Sequence, residues 1–187
     1  MKVISVEIQG TSPLLQHKFT PQVDDKAGPK VYDAEKEAEK ATYRGPDGYI
    51  YCPSDWVLMA MNQAAADFKY KNRKTYKGLL LSIIAVDPDR IPLLDSDGEP
   101  RETWDEIDAR PAVVQRSRVM RWRPRFNEWK LRFNLIILNE AKISPATLKA
   151  ILDVAGQEKG LGDYRPRFGR FMVTRFEEIR EHEQRVA

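Results

Sequence analysis

A glycine- and arginine-rich stretch near the C-terminus, residues 160–171, has the residue types best suited to binding a phosphate group. Its glycines, Gly160, Gly162 and Gly169, allow backbone conformations that a side chain would forbid. The cations in or beside this stretch are Lys159, Arg165, Arg167 and Arg170. Backbone amides and guanidinium groups of such a loop can converge on phosphate oxygens. A helix C-cap followed by a tight turn also explains the glycines, but it leaves the arginines unexplained.

A second basic segment runs from Arg110 to Arg132, where eight basic residues are opposed by the single acid Glu128. Charge separated in this way is typical of a protein that presents a basic face to a polyanion. The candidate nucleic-acid contacts in this segment are Arg116, Arg118, Arg121, Trp122, Arg123 and Arg125. The other aromatic residues that alternate with arginine in the two stretches are Phe126, Trp129, Tyr164, Phe168 and Phe171. Aromatic rings among arginines can stack on bases, and Trp122 is the best placed to do so.

Residues able to catalyse a reaction or to bind a metal are few. Two histidines and one cysteine, Cys52, cannot form a metal cluster with normal ligand spacing. The sequence also lacks a P-loop and a dinucleotide fingerprint, so it predicts neither a metal nor a cofactor. His17, in the loop after the first strand, is the one candidate general base and would suit RNA cleavage. A surface or packing role for His17 is the alternative.

The bulk composition indicates one soluble domain in a reducing compartment. A chain of 187 residues with 42% hydrophobic residues can bury a core, while 32% charged residues give it an ionic surface. A single cysteine excludes an internal disulfide framework. Glu7 and Gln9 interrupt the first apolar run, so the N-terminus lacks the basic-then-apolar pattern expected of a signal peptide, and no stretch approaches the length of a membrane span. We therefore expect a cytoplasmic protein with no membrane partner.

Apolar periodicity predicts the secondary structure. Strands are predicted over residues 3–9, 49–51, 79–86 and 171–176, with the apolar run 79–86 central in a sheet. Helices are predicted over residues 33–43, after the N-cap Ser54, and after the N-cap Ser144. A long antiparallel hairpin is predicted with arms 112–122 and 129–138 around a turn at 123–127. Residues 95–99 are interpreted as a β-turn rather than a calcium loop.

These elements follow the order strand, helix, strand, strand, helix, strand. This βαββαβ order belongs to ferredoxin-like and RNA-recognition folds. The predicted fold class is therefore α+β, with an antiparallel sheet, a long basic hairpin and loop insertions. A single domain is predicted over residues 1–187, with its core at about 1–10, 49–86 and 110–177. The insertions are residues 20–45 and 87–109, and a charged tail is residues 178–187.

Three separated motifs resemble the RAMP superfamily, the repeat-associated RNA-binding proteins of CRISPR effector complexes. Ser12-Pro13-Leu14-Leu15 is similar to the strand-then-Pro-Leu opening of that family. Residues 49–60 are similar to the segment that begins its first core helix, except that Val57-Leu58 replaces the usual Lys-Gly. Residues 160–171 resemble its glycine-rich loop. The arginine-phenylalanine patterns are also similar to small proteins of phages and mobile elements, which implies a divergent, element-borne member.

The resemblance and the basic segments together imply a non-catalytic protein that binds single-stranded nucleic acid, foremost RNA. The expected contacts are the basic hairpin and the glycine- and arginine-rich loop. Its partners would be single-stranded RNA or DNA, and copies of itself or other subunits of a ribonucleoprotein. Two alternatives stay open. One is a metal-independent endoribonuclease that uses His17, and the other is a protein-interaction module, such as a phage counter-defence factor or a subunit mimic.

Overall fold

The computed structural model describes residues 1–19, 33–114 and 117–179, with the backbone alone at residues 113, 114, 117 and 118. The strands are β1 Lys2–Gly10, β2 Leu14–Leu15, β3 Tyr51–Pro53, β4 Lys69–Lys71, β5 Lys74–Thr75, β6 Ile84–Asp87, β7 Arg90–Leu94, β8 Glu106–Val114, β9 Ser117–Phe126, β10 Lys130–Ile137 and β11 Phe171–Ile179. The helices are α1 Ala34–Lys40, α2 Ser54–Ala64, α3 Leu80–Ile83 and α4 Pro145–Val154. A 3-10 turn, Ala65–Asp67, extends α2, and a π-helical turn, Ala155–Lys159, extends α4.

The main sheet has the strand order β11-β1-β10-β7-β3, and β6 also pairs with β10. All of these pairs are antiparallel. The elements β1, α2, β6, β10, α4 and β11 form a βαββαβ core with the sheet order β11-β1-β10-β6. This arrangement is the ferredoxin-like α+β fold, so the predicted fold class is confirmed.

Strand alternation places the core on one side of this sheet. Ile4, Val6 and Ile8 of β1 are buried beside alternate residues of β10, and α2 and α4 pack onto the same side. The opposite side is polar, and Arg132 Nε donates to Glu7 Oε2 at 2.6 Å across β1 and β10. The alternation predicted for residues 3–9 and for β10 is confirmed.

The basic hairpin is present, but its arms differ from the predicted ones. β8 pairs with β9 from Glu106 opposite Arg125 to Val114 opposite Ser117, so the arms of the hairpin are residues 106–114 and 117–126. β10 pairs with β1 and not with β9. The arms predicted at 112–122 and 129–138 are wrong because alternation identifies a strand without identifying its partner. Residues 87–109, expected to form a loop insertion, contain β7 and the start of β8.

Two further local predictions are wrong. Ser54 is the first residue of α2 and not its N-cap, and its hydroxyl donates to Asp89 Oδ1 at 3.1 Å. The apolar run 79–86 forms α3 and then β6, which is paired only with β10 in the described part of the chain. A short apolar run cannot distinguish a buried helix from a buried strand, and this one forms both.

Other local signals are confirmed. The Ser144 hydroxyl accepts the N–H of Thr147 at 3.1 Å and caps α4. Asp95 Oδ1 accepts the N–H groups of Asp97 and Glu99, each at 2.9 Å, so residues 95–99 form a turn that uses the carboxylate internally. The strand predicted at 49–51 is β3, displaced to Tyr51–Pro53.

Candidate nucleic-acid interface

The hairpin of β8 and β9 forms a second, three-stranded sheet with β2. Directly opposed residues share a face of a sheet. One face of the hairpin therefore carries three successive opposed pairs, Glu106 with Arg125, Asp108 with Arg123, and Arg110 with Arg121. The first two pairs combine opposite charges, whereas the third places two arginines side by side. The excess of positive charge on this face therefore lies at the Arg110–Arg121 pair, since the pairs beyond it are uncharged.

The predicted contacts on β9 fall on both faces of the hairpin. Trp122 is opposite Ala109 and lies on the other face from Arg121 and Arg123, so it cannot stack a base on the arginine-bearing face. Arg125 donates to Asn127 Oδ1 at 2.9 Å and pairs with Glu106 at 3.6 Å. Arg116 lies outside the described residues, and the side chain of Arg118 is not described.

Arg123 is buried beneath the loop of residues 160–170, although strand alternation alone would allow it to face solvent. Its side chain is 5% exposed, and its Nε donates to Asp163 Oδ2 at 2.5 Å. The guanidinium lies 5.0 Å from the centre of the Tyr164 ring. Its Nη1 is buried without a hydrogen-bond partner in the described part of the protein. Arg123 therefore joins the hairpin to the loop and keeps one donor unused.

Main-chain hydrogen bonds to the segment around β2 hold the loop in place. The N–H of Asp163 donates to Leu15 O at 2.9 Å, and the N–H of Gly169 donates to Pro13 O at 2.8 Å. Within the loop, the N–H of Leu161 donates to Gly169 O at 2.9 Å. Because these three N–H groups already donate to backbone carbonyls, they are not available to a phosphate group in this conformation.

The glycines of the loop have a packing explanation. Gly160, Gly162 and Gly169 all have positive φ angles. A Cβ at Gly162 would lie 2.3 Å from Leu15 O, and one at Gly169 would overlap Leu161 O. Only glycine satisfies both the backbone conformation and the close approach. The glycines therefore build the loop, and the arginines remain as its candidate ligand-binding groups.

Most cations of the loop and its flank are exposed to solvent. Arg165, Arg167 and Arg170 are exposed and form no ion pair with a described carboxylate. Lys159 differs, because it pairs with Glu158 at 3.0 Å and approaches Asp67 at 3.9 Å. An open depression of about 580 Å³ runs beside the loop, lined among others by Lys159, Asp163, Tyr164 and Arg165.

The aromatic residues separate into core and surface groups. Phe126, Trp129, Phe168 and Phe171 are buried in the fold and cannot stack on a base. Tyr164 is 38% exposed and has a φ angle of 57°, which a bulky residue rarely adopts. Its ring lies near the guanidinium of Arg110 at 5.5 Å as well as that of Arg123. Arg110 was not among the predicted contacts, although it begins the basic segment that the sequence shows.

His17 lies beside this arginine cluster. Its imidazole is half-buried, and Nδ1 is buried with no partner in the described part of the protein. Burial and, secondly, the charge of Arg123 hold the pKa of His17 below its ordinary value, while Asp163 acts in the opposite direction. The net effect favours the neutral form of the His17 imidazole. The neighbouring Gln16, which the sequence does not single out, is fully buried and accepts the N–H of Tyr43 at 2.8 Å.

Within the described residues no group of three or more metal-ligating side chains comes together. No helix in the described part of the chain is long and apolar enough to cross a membrane.

No family model and no curated protein matches this sequence. A chain from the cryo-EM structure of the Type III-B Cmr-beta bound to cognate target RNA aligns with a TM-score of 0.59 and 11% identity. The alignment covers 96% of this protein and 61% of that chain, so this protein spans about three fifths of its structural neighbour. A functionally uncharacterized protein from Streptococcus mutans aligns at a TM-score of only 0.28, with 12% identity over 98% of this protein and 70% of that chain. The first match shows a likeness of fold alone.

Proposed function

We propose that this protein binds single-stranded RNA, without cleaving it, on the surface formed by the arginine-bearing face of the β8–β9 hairpin and the loop of residues 160–170. The observation that carries the proposal is the set of exposed loop arginines, Arg165, Arg167 and Arg170, with no described carboxylate partner. Unpaired guanidinium groups are the preferred protein ligands of phosphate.

The hairpin extends this positive surface. Arg121 has no described carboxylate partner and lies directly opposite Arg110, whose Nε donates to Asp108 at 2.8 Å. Asp108 offsets the charge of Arg110, so it is the charge of Arg121 that an additional anion would stabilise. A phosphate backbone that follows the loop toward the hairpin tip would supply that anion repeatedly.

RNA is favoured over DNA by the fold. The structural neighbour comes from an assembly bound to target RNA, and the present fold is similar to it. RNA-recognition domains stack bases on aromatic side chains of their sheet. The outer side of the main sheet lacks such aromatic residues at its centre, where the described residues Glu7 and Arg132 form an ion pair. We therefore assign the contact to the hairpin and the loop.

The test replaces Arg165, Arg167 and Arg170 together by glutamine and measures binding of fluorescent oligouridine by anisotropy at several salt concentrations. Loss of three phosphate contacts lowers the slope of log affinity against log salt by about 2 and weakens binding at physiological salt roughly tenfold or more. A variant with Lys2, Lys149 and Arg175 changed to glutamine has the same net charge, but its altered cations pair with acids of β11 and α4. This control keeps the parental slope.

Equal loss of affinity in the two variants would contradict the assignment of the surface. Absence of salt-dependent binding by the parent protein would remove the function altogether. Cleavage of the oligouridine that disappears in His17→Ala would instead establish the endoribonuclease alternative.

A further inference from the structure

Two buried nitrogen atoms at the base of the hairpin lack a hydrogen-bond partner. They are Nη1 of Arg123 and Nδ1 of His17, and Arg123 as a residue is only 4% exposed. Buried polar atoms in folded proteins are almost always hydrogen-bonded, and an unused donor on a charged group is especially costly. Both side chains belong to one charged cluster, in which the charge of Arg123 acts on His17. Arg123 Nη1 can only donate, and His17 Nδ1 donates when it carries a proton, so the two atoms indicate a place for a ligand that accepts hydrogen bonds.

The charges around these atoms indicate that the ligand is an anion. Arg121 and Arg123 lie on the same face of β9, and both lower the pKa of His17 through their charge. Asp163 compensates for Arg123, and Asp108 compensates for Arg110. Arg121 has no described carboxylate partner, so the cluster keeps a positive excess.

We propose that Arg123 Nη1 and His17 Nδ1 together bind one internal phosphodiester group of the RNA strand, and that this contact makes RNA affinity depend on the protonation of His17. The proposal rests on the proposed function, since it concerns the same surface. It adds a buried phosphate contact to the exposed contacts of Arg165, Arg167 and Arg170.

In the proposed complex Tyr164 controls access to Arg123. Both nitrogen atoms are closed to solvent in the free protein, and the Tyr164 ring lies 5.0 Å from the Arg123 guanidinium. The ring is partly exposed and its residue has a positive φ angle, a strained conformation of the kind that accumulates at functional sites. The phosphate reaches Arg123 and His17 when this ring moves aside.

Proton linkage follows from the charge of the ligand. The charged groups that act on His17 are Arg121 and Arg123 from β9 and Asp163 from the loop, and burial together with Arg123 keeps its pKa low. A phosphate group beside the imidazole stabilises the protonated form and raises this pKa. By reciprocity, protonated His17 binds the strand more tightly than neutral His17.

The experiment follows the His17 imidazole by NMR across pH with and without a short oligouridine that has hydroxyl groups at both ends. The sequence contains two histidines, so a His182→Gln variant identifies the His17 signal. We expect bound RNA to raise the pKa of His17 by about one unit. The Kd for the same RNA then falls by about tenfold as the pH is lowered through the pKa of His17 in the bound protein and then through its pKa in the free protein. Uracil does not titrate in this range.

A His17→Gln variant provides the second measurement, because Arg123 variants are buried and could fail to fold. This variant retains a neutral hydrogen-bonding side chain, and its Kd for RNA is expected to be independent of pH. If His17 had only a structural role, the substitution would change thermal stability and leave the dependence of the Kd on pH intact. If RNA binds and the pKa of His17 does not change, the inference is overturned and the proposed function stands. A response to inorganic phosphate without a response to RNA overturns it as well. Failure of RNA to bind at all removes both.

Discussion

Gly162 shows how a single residue connects the loop to the rest of the molecule. Its φ angle is positive and its Cα lies against the carbonyl of Leu15. That contact fixes the distance between the loop and β2, and therefore the position of Asp163 and Tyr164 beside Arg123. Close packing against Leu15 therefore explains the glycine at this position.

Gly162→Ala is expected to lower the free energy of unfolding by about 3 kcal/mol. Alanine is strained at the positive φ angle of this position, and its Cβ would overlap Leu15 O. Gly48→Ala is the matched control, because Gly48 also has a positive φ angle but no atom lies within 4 Å of a Cβ placed there. The control should cost about 1 kcal/mol. Urea denaturation measures both values. Equal costs would show that close packing does not explain Gly162.

At the scale of the elements, Gln16 links the two sheets. Its side chain is fully buried beside β2 of the hairpin sheet, where Nε2 donates to Tyr51 O of β3 at 2.9 Å. Oε1 accepts the N–H of Tyr43, in the segment after α1. One amide therefore satisfies backbone groups from two other elements, and it positions the neighbouring His17.

Gln16→Ala is expected to destabilise the protein by about 3 kcal/mol, because two partly buried backbone groups lose their partners. Gln63→Ala makes the same chemical change at an exposed position of α2 and should change stability by less than about 0.5 kcal/mol. Thermal and urea unfolding provide the comparison. A cost at Gln16 no larger than that at Gln63 would show that the link between the sheets contributes little.

Ion pairs and burial lower the pKa values of titratable groups in several parts of the molecule. Hydrogen bonding from Arg132 holds the pKa of Glu7 below its ordinary value, and hydrogen bonding from Arg44 does the same for Glu39. His17 also has a lowered pKa, for which burial is the main cause. In all three cases the folded protein binds fewer protons than the unfolded chain over a range of acid pH.

Stability is therefore expected to fall in two stages as the pH decreases. The unfolded chain takes up a proton at His17 first, below its ordinary pKa of 6.5, so the contribution of His17 is lost from there downward. The carboxylates of Glu7 and Glu39 follow, below the ordinary value of 4.5. The free energy of unfolding, measured by urea titration at each pH, checks this sequence. His17→Gln should remove the first stage only, and Glu7→Gln should reduce the second.

The amino-acid sequence by itself determined the βαββαβ order, the core faces of β1 and β10, the Ser144 cap and the positions of the cations. Each of these depends on local periodicity or on residue type, which the sequence contains directly. The positive charge of residues 110–132 and 160–170 could thus be recognised without knowledge of any contact.

Tertiary structure alone decided the pairing of β9 with β8, the burial of Arg123 and the meeting of His17 with the loop. Strand pairing depends on contacts between distant parts of the chain, and alternation is the same whichever partner a strand takes. Side-chain exposure on a strand depends in turn on what covers it, and the loop that covers Arg123 is held by Leu15 and Pro13. The two basic segments became one surface only because the fold placed this loop against the hairpin.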